Sequence, residues 1–330
     1  MDLTTTYLGL SLAHPVVPGA SPLTATADGA RRLEDAGAPA LVLPSLFAEE
    51  IEAERAARQE VIEAAENSFA EALTYFPRLV AEADAGAEAY LERVRTIKEA
   101  VGIPVIASLN GSAPGDWTAY ARQIQEAGAD ALELNVFFLA TDPAEGPEQV
   151  DDRVVQVVSS VVRAVSIPVA VKLSPFFSSL PNLLDRLAAA GAKAAVLFNR
   201  FYQPDLDLDR LEVVPRLRLS DPGELGLRIR WAALLWERVP LELAVTGGVH
   251  TADDAAKALL CGATAVQTAS ALLRHGPARL TEMVEGLRTW VERRGYASLA
   301  EARGALSAAK APDPAALVRA NYARVLRSGP

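Results

Sequence analysis

The stretch AGADALELN, residues 127–135, contains the pattern that decides the fold. Its Ala-Gly-Ala ends an amphipathic helical segment, and an apolar run without regular polar alternation follows directly. Glycine commonly ends a helix because it adopts a left-handed conformation at little cost. An apolar run of this kind is typical of a strand that is buried on both faces of a parallel sheet. The stretch therefore predicts a helix followed by a buried parallel strand.

The same junction recurs along the chain. Three further copies have an Ala/Cys-Gly-Ala phrase, and three related junctions have a proline, which prevents the helix from continuing. Together with HPVVPG at 14–19 they give eight strands. The predicted strands span 15–19, 40–44, 104–109, 131–136, 168–173, 194–199, 241–246 and 265–269.

Eight alternating βα units predict an α/β fold of the (β/α)8 TIM-barrel type, which we take as a single domain over residues 1–330. An open doubly wound sheet is the alternative, but no Gly-x-Gly-x-x-Gly turn follows the first strand. Insertions are predicted after strand 2 (46–100) and after strand 6 (200–222), the second as a β-excursion or hairpin beside the barrel, and a helical tail is predicted at 295–330. Insertions at the carboxyl end of a barrel build active sites and lids.

Composition excludes several classes of protein. The chain has 330 residues, half of them apolar, a formal net charge of −10 and one cysteine, Cys261. This acidity argues against a nucleic-acid or anionic-membrane surface. No metal site is expected, because one cysteine forms no cluster and His14, His250 and His275 lack ligand spacing. Because neither a membrane-spanning run nor a signal peptide is recognised, we expect a cytoplasmic protein.

Two loops predict a phosphate site. Strand 7 ends in Thr246-Gly247-Gly248, and strand 8 ends before Ala269-Ser270. Glycines let the backbone approach a ligand closely, and nearby amides hold an anion. Barrels commonly bind phosphate after strands 7 and 8. The alternative is that both segments are only tight turns.

Polar side chains at other strand ends suggest what surrounds the rest of a ligand. Lys172 ends strand 5, where a lysine is costly unless paired. It is either part of a structural ion pair, with Glu133 as one candidate partner, or a cation that stabilises negative charge on a ligand. Asn110, Asn135 and Asn199 end strands 3, 4 and 6, and carboxamides suit the alternating donors and acceptors of a planar heterocycle.

These segments resemble the dihydroorotate dehydrogenases, especially the soluble class 1 enzymes, over nearly the whole chain. Thr246-Gly247-Gly248 and LLCGATAVQTASAL (259–272) are similar to the family's flavin-phosphate region. VKLSPFF (171–177) is similar to the segment that carries a lysine beside the flavin ring, and Ala20-Ser21 resembles the first loop that touches the flavin. Leu134-Asn135 resembles the start of the family's Leu-Asn-x-Ser-Cys-Pro-Asn motif.

The resemblance implies FMN at the barrel mouth, a small-molecule substrate, a homodimer by analogy and an electron-transfer partner. It implies that Lys172 lies beside the ring, and Lys172 and Asn135 are the candidate catalytic residues. The candidate cofactor-binding residues are Ala20, Ser21, Asn110, Asn135, Lys172, Asn199, Thr246, Gly247, Gly248, Ala269 and Ser270.

The substrate side departs from the family pattern. Phe138 stands where the family has its Cys or Ser base, and Pro44 precedes Ser45 where the family has a lysine. Asn67-Ser68-Phe69 matches only the start of the substrate motif, and Tyr75-Phe76-Pro77 is a candidate replacement for it. A general base is worth roughly 10²–10⁴-fold in rate, so the substrate is expected to differ from dihydroorotate or to turn over slowly.

Four functions remain open from the sequence. The first is an FMN-dependent oxidoreductase of the dihydroorotate dehydrogenase type that acts on a CH–CH group, with its own substrate. The second is a true dihydroorotate dehydrogenase of pyrimidine biosynthesis with a displaced base. The third is a flavin-binding protein without turnover in a partner complex, and the fourth is a flavin-free phosphate-binding lyase or isomerase.

Overall fold

The structure, a computed structural model, describes residues 2–47, 85–111, 117–136, 138–200, 204–214, 216–318 and 326–327. Residues 48–84 of the insertion predicted after strand 2, which include Asn67-Ser68-Phe69 and Tyr75-Phe76-Pro77, lie outside the described residues. The strands are β1 Thr5–Tyr7, β2 Leu10–Leu12, β3 Val16–Pro18, β4 Leu41–Phe47, β5 Val105–Gly111, β6 Ala131–Val136, β7 Val169–Leu173, β8 Ala194–Leu197, β9 Asp205–Asp207, β10 Glu212–Val214, β11 Glu242–Thr246 and β12 Ala265–Thr268.

Eight of these strands form one sheet in the order β3-β12-β11-β8-β7-β6-β5-β4, and every neighbouring pair is parallel. The two end strands, β3 and β4, approach each other, so the sheet is a nearly closed barrel. The TIM-barrel prediction is confirmed. Each predicted strand coincides with one observed strand to within three residues at either end.

Helices surround the barrel. They are α1 Ala27–Asp35, α2 Ala85–Ala100, α3 Trp117–Glu126, α4 Pro147–Ala164, α5 Leu180–Ala189, α6 Leu225–Leu235, α7 Ala252–Leu260, α8 Ser270–His275, α9 Ala278–Arg294 and α10 Leu299–Ala302. Gly128, which follows α3, has a φ of +98°, as expected of a glycine that ends a helix. Gly262 after α7 has a φ of +107°, and a Cβ there would lie 2.7 Å from Trp236.

The barrel interior is filled mainly by small and branched side chains, such as Ala131, Ala170 and Val196. A hairpin of β1 and β2 packs Tyr7 and Leu12 against them. The hairpin closes the amino-terminal end of the barrel, since the Leu8 amide donates to Glu242 Oε2, at the start of β11, at 2.7 Å. The sequence did not predict this hairpin, because three-residue strands give too short a pattern to recognise.

The insertion after β8 contains an antiparallel hairpin of β9 and β10, as predicted. In its described part, the tail consists of α10, a 3-10 turn at Pro314–Leu317 and connecting turns, so its helices are short. Among the described residues, no helix has the length and apolar character needed to cross a membrane.

Candidate functional site

A cavity of about 500 Å³ opens at the carboxyl ends of the barrel strands, a size typical of small-molecule sites. The structure brings nearly all predicted site residues to its wall. Those in the lining are Ala20, Ser21, Asn135, Lys172, Asn199, Thr246, Gly247, Gly248, Ala269 and Ser270. The exception is Asn110, which is buried at the end of β5 between Phe47 of β4 and Asn135 of β6, outside the described lining.

The loop after β11 has the backbone conformation that only glycine adopts easily. Gly247 and Gly248 have φ values of +89° and +80°. A Cβ on Gly247 would lie 3.0 Å from Arg228 Nη2, and a Cβ on Gly248 would lie 2.4 Å from the Leu225 amide nitrogen. The two glycines therefore allow α6 to pack directly against this loop.

Arg228 of α6 fixes the loop from behind. Its Nε donates to the Thr246 carbonyl at 3.1 Å and its Nη1 donates to the Glu224 carbonyl at 2.7 Å. Burial lowers the pKa of Arg228, and the charge of Glu224 partly opposes this effect. Arginine remains protonated in proteins, so a positive charge lies directly behind Gly247. No sequence pattern distinguishes this residue from Arg230, the other arginine of its helix.

Ser270 connects the loop after β12 to the insertion after β8. Its Oγ accepts a hydrogen bond from the Ser220 amide at 3.0 Å. The Ser220 hydroxyl lies 3.1 Å from His250 Nε2. The His250 side chain therefore contacts this insertion, 30 residues earlier in the chain. Thr251 is the N-cap of α7, and its Oγ1 accepts a hydrogen bond from the Asp254 amide.

At the centre of the barrel mouth, Lys172 Nζ donates to Glu133 Oε1 at 3.0 Å. The lysine side chain is 12% exposed and the glutamate 1%, so the pair is buried yet reaches the cavity through Lys172. Glu133 Oε2 accepts from Gln267 Nε2 at 2.6 Å. The sequence left two interpretations of Lys172 open, a structural ion pair or a cation that stabilises a ligand. The structure shows the ion pair, and Lys172 also lines the cavity.

Two polar atoms of the lining residues suit a ligand with hydrogen-bonding groups. Ser21 Oγ and Gln267 Oε1 are buried and have no hydrogen-bond partner within the described structure. Buried polar atoms normally have partners, so a bound molecule with donors and acceptors fits this wall. Ser21 and Gln267 line the same cavity as Lys172 and the Gly247-Gly248 loop.

A basic residue of α2 lines the cavity together with Pro44, although the sequence predicted none there. Pro44 leaves no lysine on β4, but Arg93 of α2 is a lining residue of the same cavity, as are Ser45 and Phe47. Nothing in the sequence distinguished Arg93 from other helical arginines.

Phe138 is not among the described lining residues. It packs partly buried against the outer core, with the Arg153 guanidinium 4.0 Å from the centre of its ring. The position of the family's base therefore carries packing and a cation–π contact here.

The described part of the chain does not support metal binding or a reactive thiol. No group of three or more His, Cys, Asp or Glu side chains is arranged to hold a metal ion. Cys261 is buried, and burial raises the pKa of its thiol to about 11, so the reactive thiolate is disfavoured at neutral pH.

Comparison with known proteins identifies the family. Residues 82–291 match the family model described as dihydroorotate dehydrogenase. An Aeropyrum pernix protein, provisionally named dihydroorotate dehydrogenase A (fumarate), is 32% identical over 222 residues, covering 64% of this chain and 69% of the relative. The dihydroorotate dehydrogenase B (NAD(+)) catalytic subunit of Thermoplasma volcanium is 27% identical over 311 residues, covering 92% of this chain and 98% of the relative. The chain belongs to the dihydroorotate dehydrogenase family and is an oxidoreductase of that type.

Proposed function

We propose that the protein is an FMN-dependent oxidoreductase that acts on a CH–CH group of a small molecule. The observation that carries the proposal is a single cavity that combines the Gly247-Gly248 loop after β11 with Lys172, two strands along the sheet. Bound there, FMN supplies the electron-transfer chemistry that protein side chains lack. The chain's own task is to bind, orient and charge-balance that cofactor.

The proposed binding roles follow from the contacts. Gly247, Gly248, Ala269 and Ser270 surround the phosphate, where backbone amides close to the ligand hold its charge. Ala20 and Ser21 would contact the ring from the loop after β3, with Ser21 Oγ available for a hydrogen bond. Candidate partners of the ring's polar edge are Asn135, Lys172, Asn199 and Thr246. Asn110 is proposed only to support Asn135 from the next strand, because it lies outside the described lining.

The proposed substrate is a small molecule whose binding differs from that of dihydroorotate. Pro44 and Phe138 replace polar groups of the family pattern, while Arg93 adds a cation to the wall. A site that lacks the partners of a polar ring binds that ring weakly. We therefore expect the protein to oxidise dihydroorotate, the substrate of pyrimidine biosynthesis, slowly. Another reduced substrate is expected to be oxidised faster.

The setting is proposed from the same family. We infer a cytoplasmic homodimer only by analogy with the family. We also infer that electrons pass to a separate acceptor, because the names of two relatives include fumarate and NAD(+). A second candidate function is flavin binding without turnover in a partner complex. Phe138 in place of the base favours it.

An anaerobic titration tests the proposal. Purified protein is expected to show the absorbance of bound flavin, which is then titrated with dihydroorotate and re-oxidised with fumarate or NAD⁺. Slow bleaching by dihydroorotate supports the proposal, and fast bleaching identifies a true dihydroorotate dehydrogenase. Protein that binds no added FMN contradicts the proposal. A flavin that exchanges electrons with none of a broad panel of reductants and acceptors favours the second candidate.

A further inference from the structure

Glu133 is a buried carboxylate whose two oxygens are bound by two different strands. It lies on β6 and is 1% exposed. Its Oε1 accepts from Lys172 Nζ of β7 at 3.0 Å, and its Oε2 accepts from Gln267 Nε2 of β12 at 2.6 Å. Glu133 itself is not in the cavity lining, whereas both of its partners are. It therefore acts on a bound molecule only through those partners.

Lys172 is the counter-ion of Glu133, because the buried tyrosines nearby are neutral. The hydroxyl of Tyr7, from the hairpin that closes the barrel, is buried and has no hydrogen-bond partner among the described residues. Burial and the charges of Glu133 and Glu242 raise the pKa of Tyr7 well above its usual value, so this hydroxyl stays neutral. Tyr90 is likewise buried and neutral, with a pKa raised above its usual value mainly by burial. Glu133 thus offsets the charge of Lys172 inside a low-dielectric barrel, where such effects are strong.

We propose that Glu133 is a positioning residue that holds Lys172 Nζ at the cavity and sets the reduction potential of the bound flavin. The inference rests on the proposed function, since it concerns the cofactor assigned there. The reduced flavin carries more negative charge than the oxidised form, and a lysine beside the ring stabilises that charge. A paired lysine does so less than an unpaired one, so Glu133 keeps the potential lower than Lys172 alone would set it.

The opposite charges of Glu133 and Lys172 predict opposite shifts in the midpoint potential of the flavin when each is removed. Glu133→Gln keeps the shape and one acceptor for Lys172 but removes the negative charge, so the midpoint potential rises. Lys172→Met removes the positive charge and leaves Glu133, so the potential falls. The Lys172→Met/Glu133→Gln double variant lacks both charges, and its potential lies above that of Lys172→Met alone. A purely structural role predicts no such opposite signs.

The experiment is a spectroscopic redox titration of bound FMN in the wild type and these variants. We expect Glu133→Gln to favour binding of reduced over oxidised FMN by at least tenfold, which corresponds to about 30 mV for a two-electron couple. The matched control is Asp130→Asn, which removes a carboxylate from Lys98, 2.8 Å away, at the amino-terminal end of β6. Its potential should equal that of the wild type.

The outcomes separate the inference from the proposed function. A wild type that binds FMN, with Glu133→Gln at the wild-type potential or below it, overturns the role of Glu133 and leaves the proposed function standing. A wild type that binds no FMN overturns both. If Glu133→Gln does not fold, the comparison between Lys172→Met and the double variant decides: equal potentials contradict the inference.

Discussion

Asn199 Nδ2 donates a hydrogen bond to Asn135 Oδ1 at 2.8 Å, across the mouth of the barrel. The two asparagines belong to different elements, since Asn135 is on β6 and Asn199 follows β8. The bond occupies the Asn135 oxygen and thereby turns its Nδ2 donors toward other partners. Asn199 thus sets the orientation of the Asn135 carboxamide, with its Nδ2 end free to contact other groups at the cavity.

Removing this bond should weaken cofactor binding without unfolding the protein. Asn199→Ala frees the Asn135 carboxamide to rotate, and a neutral hydrogen bond contributes about 1 kcal/mol, or about fivefold in affinity. We expect the FMN dissociation constant, measured by quenching of flavin fluorescence, to rise by about that factor. Asn182→Ala, at an exposed position of α5, is the control and should leave it unchanged. Equal affinities for the wild type and Asn199→Ala would show that Asn135 needs no such support.

The glycine loop allows a matched test of the phosphate site. Gly247 and Gly295 both have positive φ, +89° and +77°, so alanine at either costs about 1–2 kcal/mol of stability. A Cβ on Gly295 meets nothing within 4 Å, whereas one on Gly247 meets Arg228. Of the two variants, we expect Gly247→Ala to weaken FMN binding, by tenfold or more, because its loop is the proposed phosphate site. Similar FMN affinities for the two variants would place the phosphate elsewhere.

The sequence predicted the barrel because the helix–strand junctions repeat. Each Ala/Cys-Gly-Ala or proline junction marks both the end of a helix and the start of a buried strand. Seven such junctions, together with HPVVPG at 14–19, predicted one topology of eight strands. The N-terminal hairpin gave no comparable signal. Its Tyr7 and Leu12 are buried by contacts with barrel residues far along the chain, which no local pattern specifies.

The site could be predicted less completely than the fold. Strand-end residues such as Lys172 and Asn135 were recognisable because parallel strands end at one edge. Gln267 and Arg228 were not, since their importance depends on what faces them: Glu133 in one case and Gly247 in the other. Asn110 fitted the same strand-end pattern yet lies outside the described lining, because its strand position alone does not determine where its side chain points.

Two buried tyrosines should respond to loss of their hydroxyls in opposite ways. Tyr90 Oη donates to the Ser108 carbonyl and accepts from the Ser108 amide, both at 2.9 Å, so Tyr90→Phe should cost about 1–3 kcal/mol in free energy of unfolding. The Tyr7 hydroxyl has no partner among the described residues, so Tyr7→Phe should be neutral or stabilise by about 1 kcal/mol. Urea unfolding measures both. A large loss of stability in Tyr7→Phe would reveal a partner for its hydroxyl.

His14 should make the protein less stable at mildly acidic pH. Its Nε2 lies 2.7 Å from the Gly37 carbonyl and its Nδ1 accepts from the Val16 amide at 3.3 Å, which requires the neutral ring. Burial, helped by the charge of Arg288, lowers its pKa, although the Gly37 hydrogen bond partly opposes this. The unfolded chain therefore binds a proton below about pH 6.5 that the folded chain does not, and stability falls as the pH decreases through that range.

Urea unfolding between pH 8 and pH 5.5 checks this expectation. His14→Gln should reduce the loss of stability on acidification but not abolish it, because the pKa of His250 is also lowered by burial. His275→Gln, at an exposed position, is the control and should leave the pH dependence of the wild type. An unchanged slope in His14→Gln would mean that His14 titrates normally in the folded protein.

The central claim is that the barrel mouth holds FMN with its phosphate at Gly247 and Gly248. The most direct test compares the dissociation constants of FMN and riboflavin for the same flavin-depleted protein by fluorescence titration. The two ligands share the ring and differ only in the phosphate. The account predicts that FMN binds at least tenfold more tightly than riboflavin. Equal affinities, or no binding of either ligand, would contradict it.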